Sequence, residues 1–113
     1  MKFLARIFKA LDPWNFTGKS FQYHIAFEYE ESNRNEPHEL YQFFKNYTES
    51  NNFTLTKEEQ IGAPRDRVIL YFQRNTEKII IEYCIDRGCC VSSKTVNLPK
   101  LYQNHKEEQK AKE

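Results

Sequence analysis

The fold of this chain follows from residues 67–96, RVILYFQRNTEKIIIEYCIDRGCCVSSKTV. Apolar and polar residues alternate along it, and two short polar breaks, at 74–77 and 86–88, divide it into three runs. β-branched and aromatic residues at a period of two, bounded by turn residues, are typical of strands. We therefore expect three antiparallel strands joined by tight turns, a meander. The middle run, with Ile79 and Ile81, is the most apolar, which suits a central strand.

The same stretch also carries apolar residues on the opposite parity. Ile69 and Ile80 fall on the side that the main alternation leaves polar. Because successive side chains of a strand point to opposite faces of a sheet, these two belong to the second face. Either both faces are partly covered, or one face keeps an apolar patch for a partner.

Two further elements are predicted between the N-terminal region and the meander. Strict alternation indicates a strand with one wetter face, and its apolar members are Phe21, Tyr23, Ile25, Phe27 and Tyr29. Pro37 suits a first helical turn, with Asn35 as its cap, and an aromatic stripe at helical spacing extends to about Glu49. That stripe consists of Leu40, Phe43, Phe44 and Tyr47. Asn51 and Asn52 are expected to end the helix, since Asn tolerates the left-handed conformation.

A short strand at Phe53 and Leu55 and a charged loop at 57–66 complete this part of the chain. The predicted fold is α+β: a small single-layer antiparallel sheet of about five strands, in the sequence order β-α-β-β-β-β. One helix packs on the sheet and an amphipathic helix precedes it. Three segments follow from this: an amphipathic helix and aromatic connector at 1–16, an α+β core domain at 17–99, and a charged tail at 100–113, helical or disordered.

Residues 1–11 place five apolar side chains at helical spacing, opposite Lys2, Arg6 and Lys9. This pattern predicts an amphipathic helix with a basic polar face, which Asp12 ends because it precedes proline. Two interpretations stand. The helix packs on the sheet, with Trp14 and Phe16 at its edge, or it binds a membrane surface or a partner. The second interpretation assigns the contact to Phe3, Leu4, Ile7, Phe8, Leu11 and Trp14.

Composition favours a globular chain. The sequence has 113 residues, 39% hydrophobic and 29% charged, with a net charge of +1. Dedicated nucleic-acid binders usually carry a strong basic excess, which this chain does not. Three cysteines are an odd number, and the adjacent Cys89 and Cys90 point to opposite strand faces, so a reducing, cytoplasmic location is expected. The membrane surface is the alternative location.

Motifs for catalysis or metal binding are weak. His24, His38 and His105 form no pair at metal-ligand spacing, and the sequence contains neither a Cys-x-x-Cys motif nor a Gly-rich phosphate loop. Cys84 could join Cys89 or Cys90 and His24 in a site, and Cys90 is the candidate nucleophile. Buried structural cysteines are the commoner case. We therefore expect no enzyme activity, no cofactor and no metal site.

The leading hypothesis is a non-catalytic protein-binding module: an inhibitor, an immunity-type protein or another accessory protein that acts by surface contact with a protein partner or its own copy. Exposed aromatic side chains commonly mark such interfaces. The candidate contact residues are Tyr29, Tyr41, Tyr47, Tyr71 and Tyr83. The first alternative is a peripheral membrane adaptor using the N-terminal helix. The second is nucleic-acid binding through cations around the meander: Arg65, Arg67, Arg74, Lys78, Arg87 and Lys94.

Overall fold

The computed structural model describes residues 22–28, 35–61, 67–84 and 87–112. Five strands and two helices lie in this part of the chain: β1 (Tyr23–Glu28), α1 (Glu36–Ser50), β2 (Thr54–Ile61), β3 (Arg67–Arg74), β4 (Glu77–Cys84), β5 (Gly88–Ser93) and α2 (Leu98–Lys112). The predicted α+β class and five-stranded antiparallel sheet are confirmed. The predicted N-terminal helix, Tyr29 and Arg65 lie outside the described residues.

The strands are ordered β1-β5-β4-β3-β2, and every neighbouring pair is antiparallel. The meander predicted from residues 67–96 is β3-β4-β5, and the isoleucine-rich β4 occupies the centre of the sheet, as expected. Asn75 takes a left-handed φ of 55° in the tight turn between β3 and β4. Asn adopts this conformation at low cost, which is why a two-residue turn fits here. The two edges of the sheet are β1 and β2.

Both helices pack on one face of the sheet, which we call the helix face. α1 contacts β5, β4 and β1, while α2 contacts β1 and β5. The core on this face consists of Leu40, Phe44, Phe53, Leu70, Phe72, Ile79, Ile81, Cys89, Val91, Val96, Leu98 and Tyr102. Large aromatic rings contribute much of it, which compensates for the small number of residues in a domain of this size.

The ends of α1 follow the sequence signals with one exception. Pro37 lies in the first turn, where its fixed backbone angle suits a helix start. The carboxylates of Glu36 and Glu39 lie in the same turn and interact favourably with the positive end of the helix dipole. Asn35 occupies the N-cap position, but its side chain makes no capping hydrogen bond, and its backbone is already helical at φ −89° and ψ −23°. The helix ends at Ser50, and Asn52 takes a left-handed φ of 63°, as predicted.

Strand β2 is longer than the sequence predicts. Residues 57–61, expected to be part of a charged loop, pair with β3 up to Ile61 opposite Arg67. Charged side chains are tolerated because β2 is an edge strand whose side chains from Thr54 to Glu58 are exposed. A register shift between Leu55 and Lys57 marks a β-bulge, a feature that discourages edge-to-edge pairing.

The C-terminal segment, predicted to be helical or disordered, is the helix α2. Leu98 and Tyr102 are its buried residues, at 0% and 4% exposure, and they join the same core as α1. Burial of these two side chains explains how a segment with so many Lys, Glu and Gln residues stays ordered. Of the helices in the described ranges, neither is long and apolar enough to cross a membrane.

Candidate partner-binding cleft

A cleft of about 420 Å³ lies between α1 and α2 on the outer side of the helix layer. Its lining residues are Glu39, Gln42, Phe43, Asn46, Tyr47, Ser50, Asn51, His105 and Gln109. The α1 members fall into two rows at a spacing of four, 39-43-47 and 42-46-50, which places each row along one face of the helix. The α2 members, His105 and Gln109, have the same spacing. Helical periodicity in both segments therefore builds the cleft.

Aromatic rings form the apolar part of the cleft. The Phe43 ring lies 4.4 Å from the imidazole of His105 and 6.4 Å from the ring of Tyr47, measured between centroids. Below them, Phe43 meets Phe44 and Tyr102 edge-on at 4.8 and 5.6 Å. Phe43, Tyr47 and His105 are each half-buried. Their inner edges are fixed by the core while their outer edges are available for contact.

A cluster of polar groups ties α2 to α1 at one end of the cleft. The Tyr102 hydroxyl donates to Glu36 Oε2 at 2.8 Å, and Lys106 Nζ donates to Glu36 Oε1 at 2.9 Å. Lys106 also bonds Glu39 Oε2. We call these four residues the helix clamp. Since Glu39 also lines the cleft, the clamp holds one wall of the cleft in position.

The clamp shifts the pKa values of its members. Partial burial raises the pKa of the Glu36 carboxyl, but hydrogen bonds from Lys106 and Tyr102 outweigh burial and hold that pKa below its ordinary 4.5. Burial lowers the pKa of Lys106, and its bonds to Glu39 and Glu36 outweigh burial, so that pKa lies above 10.5. Burial, followed by the bond to Glu36, raises the pKa of Tyr102 well above its ordinary value. Near neutral pH Glu36 and Lys106 are therefore charged, and the Tyr102 hydroxyl keeps its proton.

At the other end, Asn51 joins the cleft to the sheet. Its side-chain amide donates to the Tyr47 carbonyl at 2.7 Å, and its own carbonyl accepts from Arg74 Nη1 at 2.8 Å. Arg74 also donates to Glu77 at 3.0 Å and lies 4.5 Å above the ring of Phe53. These contacts give Arg74 a structural role at the base of the cleft.

The predicted contact tyrosines do not form one surface. Tyr47 lines the cleft, whereas Tyr41 and Tyr83 pack on each other across the α1–β4 contact, with centroids 4.8 Å apart. Tyr71 lies on the opposite face of the sheet and donates to Glu59 Oε1 at 2.6 Å. This hydrogen bond, followed by burial, raises the pKa of Tyr71 to about 12. Of the predicted tyrosines that the structure describes, Tyr47 is the one in the cleft.

The described cations of the nucleic-acid alternative are divided between the two ends of the sheet. Arg67 and Arg87 lie at one end, and Arg74, Lys78 and Lys94 lie at the other. An eight-residue strand separates the ends by about 25 Å. Acidic partners accompany the first two strands of the meander: Arg67 lies 3.9 Å from Glu82, and Arg74 pairs with Glu77. Two small groups of mixed charge result, where a nucleic-acid surface would carry one continuous positive stripe.

The three cysteines are buried thiols. Cys84 and Cys90 lie with Ala26 in a small cluster on the face away from the helices, and Cys89 belongs to the core of the helix face. Burial, with smaller contributions from Cys90 and Glu82, raises the pKa of the Cys89 thiol, which disfavours the nucleophilic thiolate.

His24 is exposed on edge strand β1, opposite Ser92. Within the described ranges, no group of three or more His, Cys, Asp or Glu side chains is arranged to hold a metal ion.

No known family model, curated protein or solved structure matches this chain.

The sequence predicts Phe43 on the aromatic stripe of α1 and Tyr47 as a contact residue, but it does not predict that His105 lies beside them. The signal was present in the C-terminal segment. Leu98, Leu101, Tyr102 and His105 recur at spacings of three and four, which indicates one helical face. The many charged residues between them obscured that pattern. Charged side chains on the exposed side of a helix do not indicate whether its other side is buried.

Proposed function

We propose that this chain is a non-catalytic protein-binding module, and that its contact surface is the cleft between α1 and α2. The observation that supports this most is the set of half-buried rings in an open depression, with the Phe43 ring 4.4 Å from His105 and 6.4 Å from Tyr47. Rings fixed at their inner edge lose little conformational freedom on binding, so they suit an interface.

The lining favours a partner of particular chemistry. Gln42, Asn46, Asn51 and Gln109 surround the rings with amide groups, which can donate and accept hydrogen bonds at a polar rim. A volume of about 420 Å³ accommodates one or two side chains. The fitting partner is an amphipathic helix or turn of another protein that presents an aliphatic or aromatic side chain flanked by polar residues.

A matched pair of variants tests this proposal. Gln42 and Gln103 are both exposed helical glutamines, but Gln42 lines the cleft and Gln103 does not. The full chain, Q42R and Q103R are used in parallel for affinity capture from a lysate of the source organism, with quantitative mass spectrometry. Arg is a better helix former than most residues and both sites are exposed, so neither change should unfold the chain.

The proposal predicts a protein that the full chain and Q103R capture equally and that Q42R captures at least about tenfold less, since a bulky cation would enter the contact. Purified protein should reproduce the same difference in binding. If every specifically captured protein binds Q42R as well as it binds Q103R, or if none is captured, the cleft is not the contact surface.

A further inference from the structure

We call the face of the sheet away from the helices the second face, and its central part is buried. Ile69 and Ile80 lie on it at 3% and 8% exposure, and Cys84 and Cys90 lie on it at 0% and 1%. The register places them together, with Ile80 opposite Ser92 and Ala26 opposite Cys90. A solvated face of an antiparallel sheet would instead carry exposed polar side chains.

Neither described helix covers this face. Leu40, Phe44, Leu98 and Tyr102, the apolar residues of α1 and α2, all belong to the core of the helix face, and the cluster of Cys84, Cys90 and Ala26 includes no helical residue. Among the described elements, the second face therefore has burial without a cover.

A buried acidic side chain on the same face also indicates that further atoms cover it. Glu82 pairs in register with Cys90 and is 1% exposed, and Arg67 Nη1 lies 3.9 Å from its carboxylate. Charged side chains at the centre of an uncovered face remain in contact with water. A carboxylate as inaccessible as that of Glu82 requires atoms above it.

We propose that residues 1–16 cover the second face as an amphipathic helix whose apolar side, which includes Ile7 and Phe8, lies on the buried patch. Apart from 1–21 and the last residue, the stretches outside the described ranges are 29–34, 62–66 and 85–86, which hold at most six residues each and connect neighbouring elements. A helix over residues 1–11 is about 16 Å long. Five strands span about 19 Å, so one such helix crosses most of the sheet.

Chain connectivity allows this arrangement. Residues 12–22 lead directly into β1, which is an edge strand of the sheet. Eleven residues reach up to about 36 Å when extended, so the segment can return over the second face from that edge. The polar side of the helix, with Lys2, Arg6 and Lys9, then faces water. As a consequence, the apolar stripe is occupied within the molecule and is not available to a membrane.

The cysteines are natural probes of this cover because they are distributed over both faces. Thiol alkylation of the native full chain, followed by peptide mass mapping, measures Cys84 and Cys90 on the second face and Cys89 on the helix face. Ile7→Asp places a carboxylate in the proposed contact, and Lys9→Asp places the same group on the polar side of the helix. We expect I7D to raise the alkylation rates of Cys84 and Cys90 about tenfold or more, with Cys89 unchanged and K9D equal to the unmodified chain.

Hydrogen exchange of the unmodified full chain provides a second measurement that does not depend on any variant. Amides of residues 4–11 should exchange at least about tenfold more slowly than in an unstructured peptide. Exchange at the unstructured rate would overturn the proposal, and so would an I7D chain in which Cys84 and Cys90 stay as protected as in K9D. If I7D exposes all three thiols together, the variant has unfolded, and the exchange rates of residues 4–11 then decide.

Discussion

The position of Gly88 leaves no room for a side chain. Its φ is +149°, and a Cβ atom there would lie 2.1 Å from the Phe27 carbonyl oxygen and 2.8 Å from Glu28 Cα. Both neighbours are backbone atoms of β1, so they cannot move without changing the β1–β5 pairing. Glycine at this position is therefore a requirement of the sheet as well as of the turn.

Gly88→Ala is expected to lower the free energy of unfolding by at least about 2 kcal/mol, because the added methyl group forces β1 away from β5. Urea denaturation followed by circular dichroism measures the change. Thr95→Ala, at an exposed position just beyond β5, serves as the control and should stay within about 0.5 kcal/mol of the unmodified chain. A G88A chain as stable as the control would contradict the described β1–β5 contact.

The sequence predicts the break at Gly88 but not its partner. A polar break of 86–88 between two alternating runs indicates a turn, and that turn is present. The Phe27 carbonyl that approaches Gly88 belongs to a strand far away in the sequence. Local periodicity specifies the face of each residue, but the order of strands depends on packing between elements, which no single stretch contains.

At the level of elements, the attachment of α2 depends on Tyr102. Its ring lies 5.9 Å from Phe27 and 6.3 Å from Phe44, and its hydroxyl donates to Glu36. Tyr102→Phe removes only the hydrogen bond and should cost about 1 kcal/mol of unfolding free energy. Tyr102→Ala also removes the ring and should cost about 3–5 kcal/mol. Denaturant titration of both variants checks this, and equal costs would show that α2 is not anchored by the ring.

The helix clamp makes stability depend on pH. Because the folded pKa of Glu36 lies below its ordinary 4.5, its contribution is present above about pH 4.5 and is lost as pH falls through the folded pKa. Lys106 behaves in the opposite sense: its contribution is present below about pH 10.5 and is lost as pH rises through its raised folded pKa. The clamp therefore stabilises the α1–α2 contact across the neutral range.

Glu36→Gln should make the unfolding free energy less dependent on pH between about 5 and 3, measured by denaturant titration at each pH. Because both partners are about one-third exposed, the loss at neutral pH should be only about 0.5–1 kcal/mol. Glu108→Gln, at an exposed position of α2, should leave the pH dependence of the unfolding free energy as it is in the unmodified chain. If E36Q has the same pH dependence as the unmodified chain, the clamp does not cause the loss of stability in acid.

Elements were predicted well where burial imposed a period and poorly where it did not. The meander and α1 have strong alternation or a clear aromatic stripe, and both appear where expected. The side chains of β2 from Thr54 to Glu58 are exposed, so Lys57 and Glu58 carry no burial signal and resemble a loop. Pairing with β3 defines that strand through backbone hydrogen bonds, which depend little on side-chain type.

For the molecule as a whole, the described helices distinguish the two faces of the sheet. Both described helices lie on one face, and their junction creates the aromatic cleft. The second face has buried isoleucine and cysteine side chains, and we propose that the N-terminal segment covers them. The sequence has apolar residues of both parities in the meander. It therefore left two alternatives open: both faces of the sheet are partly covered, or one face keeps an apolar patch for a partner. It could not indicate the cleft, because the cleft exists only where α1 and α2 meet.

The most direct test is a map of the bound surface. Backbone amide shifts of the isotope-labelled full chain are recorded while the partner obtained by affinity capture is added. We predict that the largest shift changes fall at 42–51 and 105–109, around Phe43, Tyr47 and His105. Changes confined to β2 or to the second face, with the cleft amides unmoved, would contradict the assignment of the cleft as the contact surface.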